Sequence, residues 1–191
     1  MLTRRLFVGG LSAFSLSACV TPPTEAPRTI ALGHGVGLNL PPLPGYPEQT
    51  RLSQLISTTV NGSTQHIQSA LTLGPDLVTV VFSVPGGPPA LSVQWSAQGI
   101  VERKESIVPP GLNGQRILAD IFLSHWPTTK IQSQLSGGRL ADFGAERRVT
   151  SADGRGVMTI QTIQSGERAR LTLNNAAQGY SLVIISKPQV Q

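Results

Sequence analysis

From Leu52 onward the chain is a series of short apolar-rich runs separated by turn residues, and in several runs the apolar positions recur at every second residue. Ile67, Leu71 and Leu73 share one face of such a run. Leu91, Val93 and Trp95 share another, with Ser92, Gln94 and Ser96 opposite. Period-two alternation marks strands with one dry and one wet face. The pattern predicts strands over 52–60, 65–73, 76–84, 90–97 and 99–105, broken at Asn61-Gly62, Gly74-Pro75, Pro85-Gly86-Gly87-Pro88-Pro89 and Gln98-Gly99. Asn-Gly between two such runs is a strong hairpin signal, because both positions tolerate the left-handed backbone of a tight turn. The run Leu77–Phe82 is apolar on both faces and predicts a central strand covered on each side.

The period then changes. Asn113 is placed to cap a helix in which Ile117, Leu118, Ile121, Phe122 and His125 or Trp126 recur at three- and four-residue spacing. Trp126-Pro127 ends it, since the residue before proline disfavours helical backbone. Ile131 and Leu135 predict a further turn or two, closed by Gly137-Gly138. Strands resume over 139–143, 146–151, 156–164, 168–174 and 179–186, with turns at Asp153-Gly154 and Asn174-Asn175. The order is antiparallel β, one helical crossover, then antiparallel β, which defines a mainly β (α+β) class.

The first residues carry a different signal. Behind Arg4-Arg5, the stretch Leu6 to Leu16 is apolar apart from Ser12 and Ser15, and Leu16-Ser17-Ala18-Cys19 closes it with small residues before the chain's sole cysteine. That is the layout of a cleavable secretory signal, and it resembles a bacterial lipobox. Residues 1–18 are then a signal peptide, and Cys19 becomes the first mature residue, acylated on sulfur and nitrogen. One acyl chain anchors marginally, at about 0.8 kcal/mol per buried methylene, so several chains are needed for durable attachment. The run is too short to span a bilayer as a helix. Thr3-Arg4-Arg5-Leu6-Phe7 also resembles a twin-arginine export motif, though paired arginines are common in ordinary signals too. Val20, where an aspartate would favour retention in the inner membrane, points to the outer membrane and a periplasm-facing domain.

Residues 20–47 hold seven of the 15 prolines and several glycines. Proline lacks a ladder donor and glycine is entropically unfavourable in regular structure, so 19–45 reads as a tether with short extended pieces, and 46–188 as the folded domain. Leu32-Gly33-His34-Gly35-Val36-Gly37 is glycine-rich, but it lacks the strand and helix that a phosphate loop requires.

Charge narrows the partners. The chain has 15 basic and 10 acidic residues, and Arg4 and Arg5 leave with the signal, so the mature excess is small. Arg103-Lys104 and Arg147-Arg148 are its basic pairs. Nucleic-acid binding calls for a concentrated basic face with stacking aromatics, which this pattern lacks. With Cys19 acylated, no thiol remains for a disulfide, a metal site or a nucleophile.

The lipobox and the element order together resemble an uncharacterised family of proteobacterial lipoproteins, domain of unknown function 3261, itself similar to the outer-membrane lipoprotein receptor LolB. The markers are Leu38-Asn39-Leu40-Pro41-Pro42-Leu43-Pro44-Gly45, the helix Gly114-Gln115-Arg116-Ile117-Leu118-Ala119-Asp120 leading to His125-Trp126-Pro127, and Gly179-Tyr180-Ser181-Leu182. The resemblance implies a curved antiparallel sheet forming an incomplete barrel, with helices closing its concave side over an apolar cavity. By that resemblance Ile67, Leu71, Val80, Phe82, Leu91, Val93 and Trp95 line the cavity, and Leu118, Ile121 and Phe122 form its lid. The same residues would equally fill a solid core. Receptors of the LolB type expose a leucine on a loop between early strands. The matching loop here reads Val84-Pro85-Gly86-Gly87-Pro88-Pro89, which argues for another amphiphile as cargo.

Chemistry-bearing residues are sparse. His34, His66 and His125 are far apart and lack metal-ligand spacing, no Gly-x-Ser-x-Gly elbow occurs, and neither catalysis nor a cofactor is expected. Asp120 and His125 lie five apart on the helix and share a face poorly, so Asp120 is expected at the surface or the lid edge. Arg147-Arg148 reads as a solvated strand end or, less simply, as a contact for a lipid head group. Trp95 and Trp126 read as core. The sequence therefore points to a lipid-anchored protein that holds an acyl chain, or a polyene of the aryl-polyene type associated with the family. The alternative is a structural or interaction lipoprotein with a filled core.

Overall fold

The computed structural model describes residues 29–43, 45–108 and 112–189; Cys19 and residues 1–18, read above as a signal peptide, lie outside them. In chain order the elements are β1 (Thr29–Gly33), β2 (Val36–Asn39), β3 (Thr50–Val60), β4 (Ser63–Leu73), β5 (Leu77–Ser83), β6 (Pro89–Ser96), β7 (Gly99–Lys104), α1 (Gly114–His125), α2 (Thr128–Gln132), β8 (Leu135–Ser136), β9 (Gly138–Phe143), β10 (Glu146–Ser151), β11 (Gly156–Ser165), β12 (Arg168–Asn175) and β13 (Tyr180–Pro188).

Ten strands form one antiparallel sheet in the order β7-β6-β5-β4-β3-β13-β12-β11-β10-β9. Its two halves are meanders joined by pairing of β3 with β13, which brings the two ends of the domain together at the centre of the sheet. The edge strands β7 and β9 do not pair, so the sheet stays open. It nevertheless wraps. Glu102 of β7 accepts a hydrogen bond from Gly114 N of α1 at 2.8 Å, while Arg147 of β10 donates to Leu123 O of the same helix at 2.9 Å. Strands from opposite ends of a ten-stranded sheet reach one 12-residue helix only if the sheet curves around it.

The hairpin at Asn61-Gly62 forms as the sequence predicts, with φ of 50° and 78° at the two positions, the left-handed values of a type I′ turn. The helix also starts and stops where its local chemistry dictates. Asn113 accepts from Arg116 N at 2.8 Å, and Trp126 adopts extended backbone before Pro127.

Three expectations need correction. Residues 29–40 are not tether: β1, β2 and β8 form a second, three-stranded sheet, and Ile30, Leu32, Val36, Leu38 and Leu40 are buried in the core. Their period-two pattern is interrupted by Gly33-His34-Gly35, which are the turn, all at positive φ, rather than signs of disorder. Gly33 is required twice over. Its φ is 112°, and a Cβ there would stand 2.4 Å from the Ala177 side chain. Secondly, β5 is covered on one face only: Val78, Val80 and Phe82 are buried, whereas Leu77 is exposed. Val81 and Thr79 belong to a partly exposed outer face, where β-branched residues pack against cross-strand neighbours without being enclosed. Finally, Asn174-Asn175 ends a strand, and the turn follows directly at 176–179. Asn175 is fully buried, donates to Leu32 O at 3.1 Å and accepts from Gln178 N at 2.9 Å, so it ties the small sheet to the large one.

Candidate ligand-binding cavity

Register determines what the concave face presents. Ile67, Ile56, Ile184 and Leu171 lie directly opposite one another across β4, β3, β13 and β12. The neighbouring rows are Thr58, Leu182 and Leu173 on one side, and Ser69, Gln54, Ser186 and Ala169 on the other. Ile56 and Leu171 are buried; Ile67, Leu182 and Ile184 are only half-buried. Apolar side chains on an inward-turned face that remain half-buried border unfilled space. A cavity of about 520 Å³ lies there, its floor formed by these rows and its roof by α1. That volume is in the range of natural ligand pockets.

The sequence-derived lining set divides in two. Ile67, Leu71, Val80, Phe82 and Ile121 line the cavity. Leu91, Val93, Trp95, Leu118 and Phe122 do not; they are buried in solid core. Two stripes on α1 explain the division. Leu118, Ala119, Phe122 and Leu123 face the core, where Phe122 packs on Trp126 at 5.3 Å between ring centroids and on Trp95 at 6.0 Å edge-on. Tyr46 closes the group at 5.3 Å from Trp126. Arg116, Ile117, Asp120, Ile121, Ser124 and His125 form the other stripe, along the cavity. Offset and edge-to-face packing of large rings accounts for the filled end.

The cavity stripe also carries polar groups, and for Asp120 the lid position holds rather than the surface one. Asp120 is not at the surface: its side chain is 12% exposed and it accepts from Tyr180 Oη at 2.9 and 3.1 Å. Arg116 donates to the same hydroxyl from Nε at 3.0 Å and Nη2 at 2.7 Å, and from Nη1 to Ala31 O at 2.7 Å. Burial pushes the Asp120 carboxyl up to about 6, against the opposing pull of the Arg116 charge and the Tyr180 hydrogen bond. The Tyr180 hydroxyl is pushed up as well, first by burial and then by the Asp120 charge. His125 lies on the same cavity, and burial, reinforced by the Arg147 charge, pushes its imidazole down to about 4. The helix period hid this proximity: residues five apart are 140° apart around the axis, yet a cavity wide enough spans both.

At the far side of the floor, Ser69 donates to Gln54 Oε1 at 2.9 Å and Gln54 donates to Ser186 Oγ at 3.0 Å, a chain that leaves no orphaned amide in the apolar interior. Arg147 is neither a solvated strand end nor a head-group contact. Its Nη1 donates to Leu123 O at 2.9 Å and Trp126 O at 2.6 Å, capping carbonyls left free at the end of α1. Arg148 is exposed and pairs with Glu146. His34 sits in the β1–β2 turn, and His66 is exposed, bonded through Nδ1 to Ser57 Oγ at 3.0 Å. Trp95 and Trp126 are core, as expected. Among the described residues no group of three or more His, Cys, Asp or Glu side chains is arranged to hold a metal ion.

An open antiparallel sheet wrapped around a helix, with an unfilled apolar space between them, defines a half-barrel rather than a solid β-sandwich. The chain belongs to the family described as "protein of unknown function (DUF3261)", whose model matches residues 51–188. No curated protein matches the chain. Among solved structures it is similar to a LolA superfamily protein from Nitrosomonas europaea, with 11% sequence identity, 77% of this chain and 89% of that one covered, and a TM-score of 0.43.

Proposed function

We propose that this protein holds the apolar chain of an amphiphile, an acyl or polyene chain, between the sheet and α1, and does so as a lipoprotein anchored through Cys19 in the outer membrane and facing the periplasm. The observation that carries the reading is the cavity of about 520 Å³ over the half-buried Ile67, Leu182 and Ile184. An empty apolar hollow of that size is unfavourable for a protein to keep, because its lining forgoes dispersion contacts. A ligand chain recovers them and leaves water, at about 0.8 kcal/mol per methylene. The alternative of a structural or interaction module needs a core filled throughout; packed rings fill the Trp95–Phe122–Trp126 end, whereas the space between the sheet floor and the other stripe of α1 is open.

Delipidated soluble protein, lacking residues 1–19, is incubated with envelope extract and measured by native mass spectrometry. The expected result is a bound mass of one lipid per chain, released on unfolding, and absent from Ile184→Trp, whose indole occupies the floor. Recovery of no lipid by the unaltered protein would overturn the reading.

A further inference from the structure

Of the polar side chains that α1 turns toward the cavity, three are already engaged. Arg116 and Asp120 bond to Tyr180, and Ser124 Oγ donates to Asp120 O at 2.7 Å. His125 is the fourth, and it makes no hydrogen bond to any described residue. Its nitrogens are not sealed away either, because among the described residues no buried side-chain nitrogen or oxygen lacks a partner. The imidazole, half-buried and lining the cavity, therefore opens onto it. A neutral imidazole offers one donor and one acceptor. In an apolar hollow these groups exact a desolvation penalty until something meets them.

Charge restricts what that something is. Arg116 is balanced by Asp120 at 3.7 Å, and the Arg147 guanidinium beside His125 is held by Leu123 O, Trp126 O and the Asp142 carboxylate at 3.1 Å. The exposed Glu167 adds a negative charge at the rim. The imidazole itself is uncharged at neutral pH, its proton affinity lowered to about 4. Among the described residues that line the cavity, the one Lys or Arg is Arg116, already paired, so none is left over for a phosphate.

Resting on the chain-binding function proposed above, we infer that His125 is a ligand-binding residue that hydrogen-bonds the uncharged polar end of the bound chain, so that the cavity selects amphiphiles ending in a hydroxyl, amide or protonated acid over phosphorylated ones. The test is displacement of the fluorescent probe 1-N-phenylnaphthylamine by tetradecanol, tetradecanamide, tetradecyl phosphate and tetradecane. The unaltered protein, His125→Phe and His125→Gln are compared. One hydrogen bond in a dry site corresponds to about three- to tenfold in affinity. The expected pattern is that preference for the alcohol and amide over tetradecane in the unaltered protein, weak binding of the phosphate, loss of the preference in His125→Phe when each compound is compared with tetradecane on the same variant, and its retention in His125→Gln. His125→Leu replaces the phenylalanine variant should that not fold. Equal affinity for all four compounds in the unaltered protein, tighter binding of the phosphate, or an undiminished preference in the folded apolar variant would overturn the inference while leaving chain binding intact. Failure of every compound to displace the probe, or of the probe to bind, would instead remove the function on which it rests.

Discussion

Tyr180 Oη donates to Asp120 Oδ1 at 2.9 Å across the end of the cavity, so the last strand of the sheet is latched to the middle of the roofing helix. The same hydroxyl accepts two bonds from Arg116, which makes it the hub of a buried network with no orphaned atom. Removing the hub leaves a carboxylate and a guanidinium to find other partners in a largely dry site. Tyr180→Phe is therefore expected to destabilise the protein by about 1–3 kcal/mol in urea unfolding. It also takes away a bond that favours the charged carboxylate, so the Asp120 proton affinity should rise further above about 6. A carbon-detected NMR titration of the Asp120 carboxyl that moved downward would refute this account of the network.

Much of this was legible before any coordinates. Period-two alternation placed Leu91, Val93 and Trp95 on the inner face, and Asn113 and Pro127 bracketed the helix, because strand pleat and helix caps are local properties. What stayed hidden depends on through-space closure. Whether Leu118 faces core or cavity is decided by how far the sheet wraps, and nothing in its own neighbourhood encodes that. Ile30, Leu32, Val36 and Leu38 were hidden for another reason: the Gly33-His34-Gly35 turn and the prolines that follow gave the segment a linker's composition, although its apolar positions alternate. Asn175 and Arg147 show the remaining limit, since a polar residue that bonds a distant backbone carbonyl is indistinguishable in sequence from a solvated one.

Core and cavity positions should respond oppositely to mutation. Phe122 is fully buried among Trp95 and Trp126, and Phe122→Ala is expected to destabilise by about 3–5 kcal/mol, as truncation of a packed ring does. Ile184 borders empty space, so Ile184→Trp should leave stability within about 1 kcal/mol of the original while abolishing chain binding. Thermal unfolding and probe displacement on the same samples decide the matter. A strongly destabilised Ile184→Trp would mean that the floor is already packed.

Arg147 offers a sharp contrast between two readings. A solvated strand end can be changed with an effect of no more than about 0.5 kcal/mol. A guanidinium that bonds Leu123 O and Trp126 O closes the end of α1, and Arg147→Met should cost about 1–3 kcal/mol because those carbonyls lose a charged donor. Hydrogen exchange should quicken at the C-terminal turn of α1 first. Unaltered stability and exchange would return the residue to the solvated class.

The small sheet should prove integral. A chain beginning at Pro41 keeps the whole segment the family model covers, yet it loses Ile30, Leu32, Val36, Leu38 and Leu40 from the core and the carbonyl of Leu32 from Asn175. Five buried apolar side chains at about 1.5–3 kcal/mol each contribute an amount comparable with the whole 5–15 kcal/mol stability of a typical domain. That shortened chain is expected to lack a cooperative urea transition, and a sharp transition near the original midpoint would reinstate the segment as a tether.

Asp120 and His125 make opposite contributions to the pH dependence of folding. The folded carboxyl titrates near 6, above its ordinary 3.8, so the folded state holds the proton more tightly. The associated stability is present at low pH and is lost as pH rises through about 6. The folded imidazole titrates near 4, below its ordinary 6.5, so here the unfolded state holds the proton more tightly. Its contribution is present above 6.5 and is lost as pH falls through about 4. Each shift corresponds to roughly 3 kcal/mol, and over the shared interval the two slopes largely cancel. Asp120→Asn should uncover the histidine's slope, with stability rising from about pH 4 to 6.5, and His125→Gln the carboxylate's, with stability falling from pH 3.8 to about 6. Urea midpoints measured at several pH values would show the two variants diverging in opposite senses from the parent. Parallel curves for all three would mean that neither group is desolvated by the cavity wall, and the dry interior inferred for that wall would have to be given up.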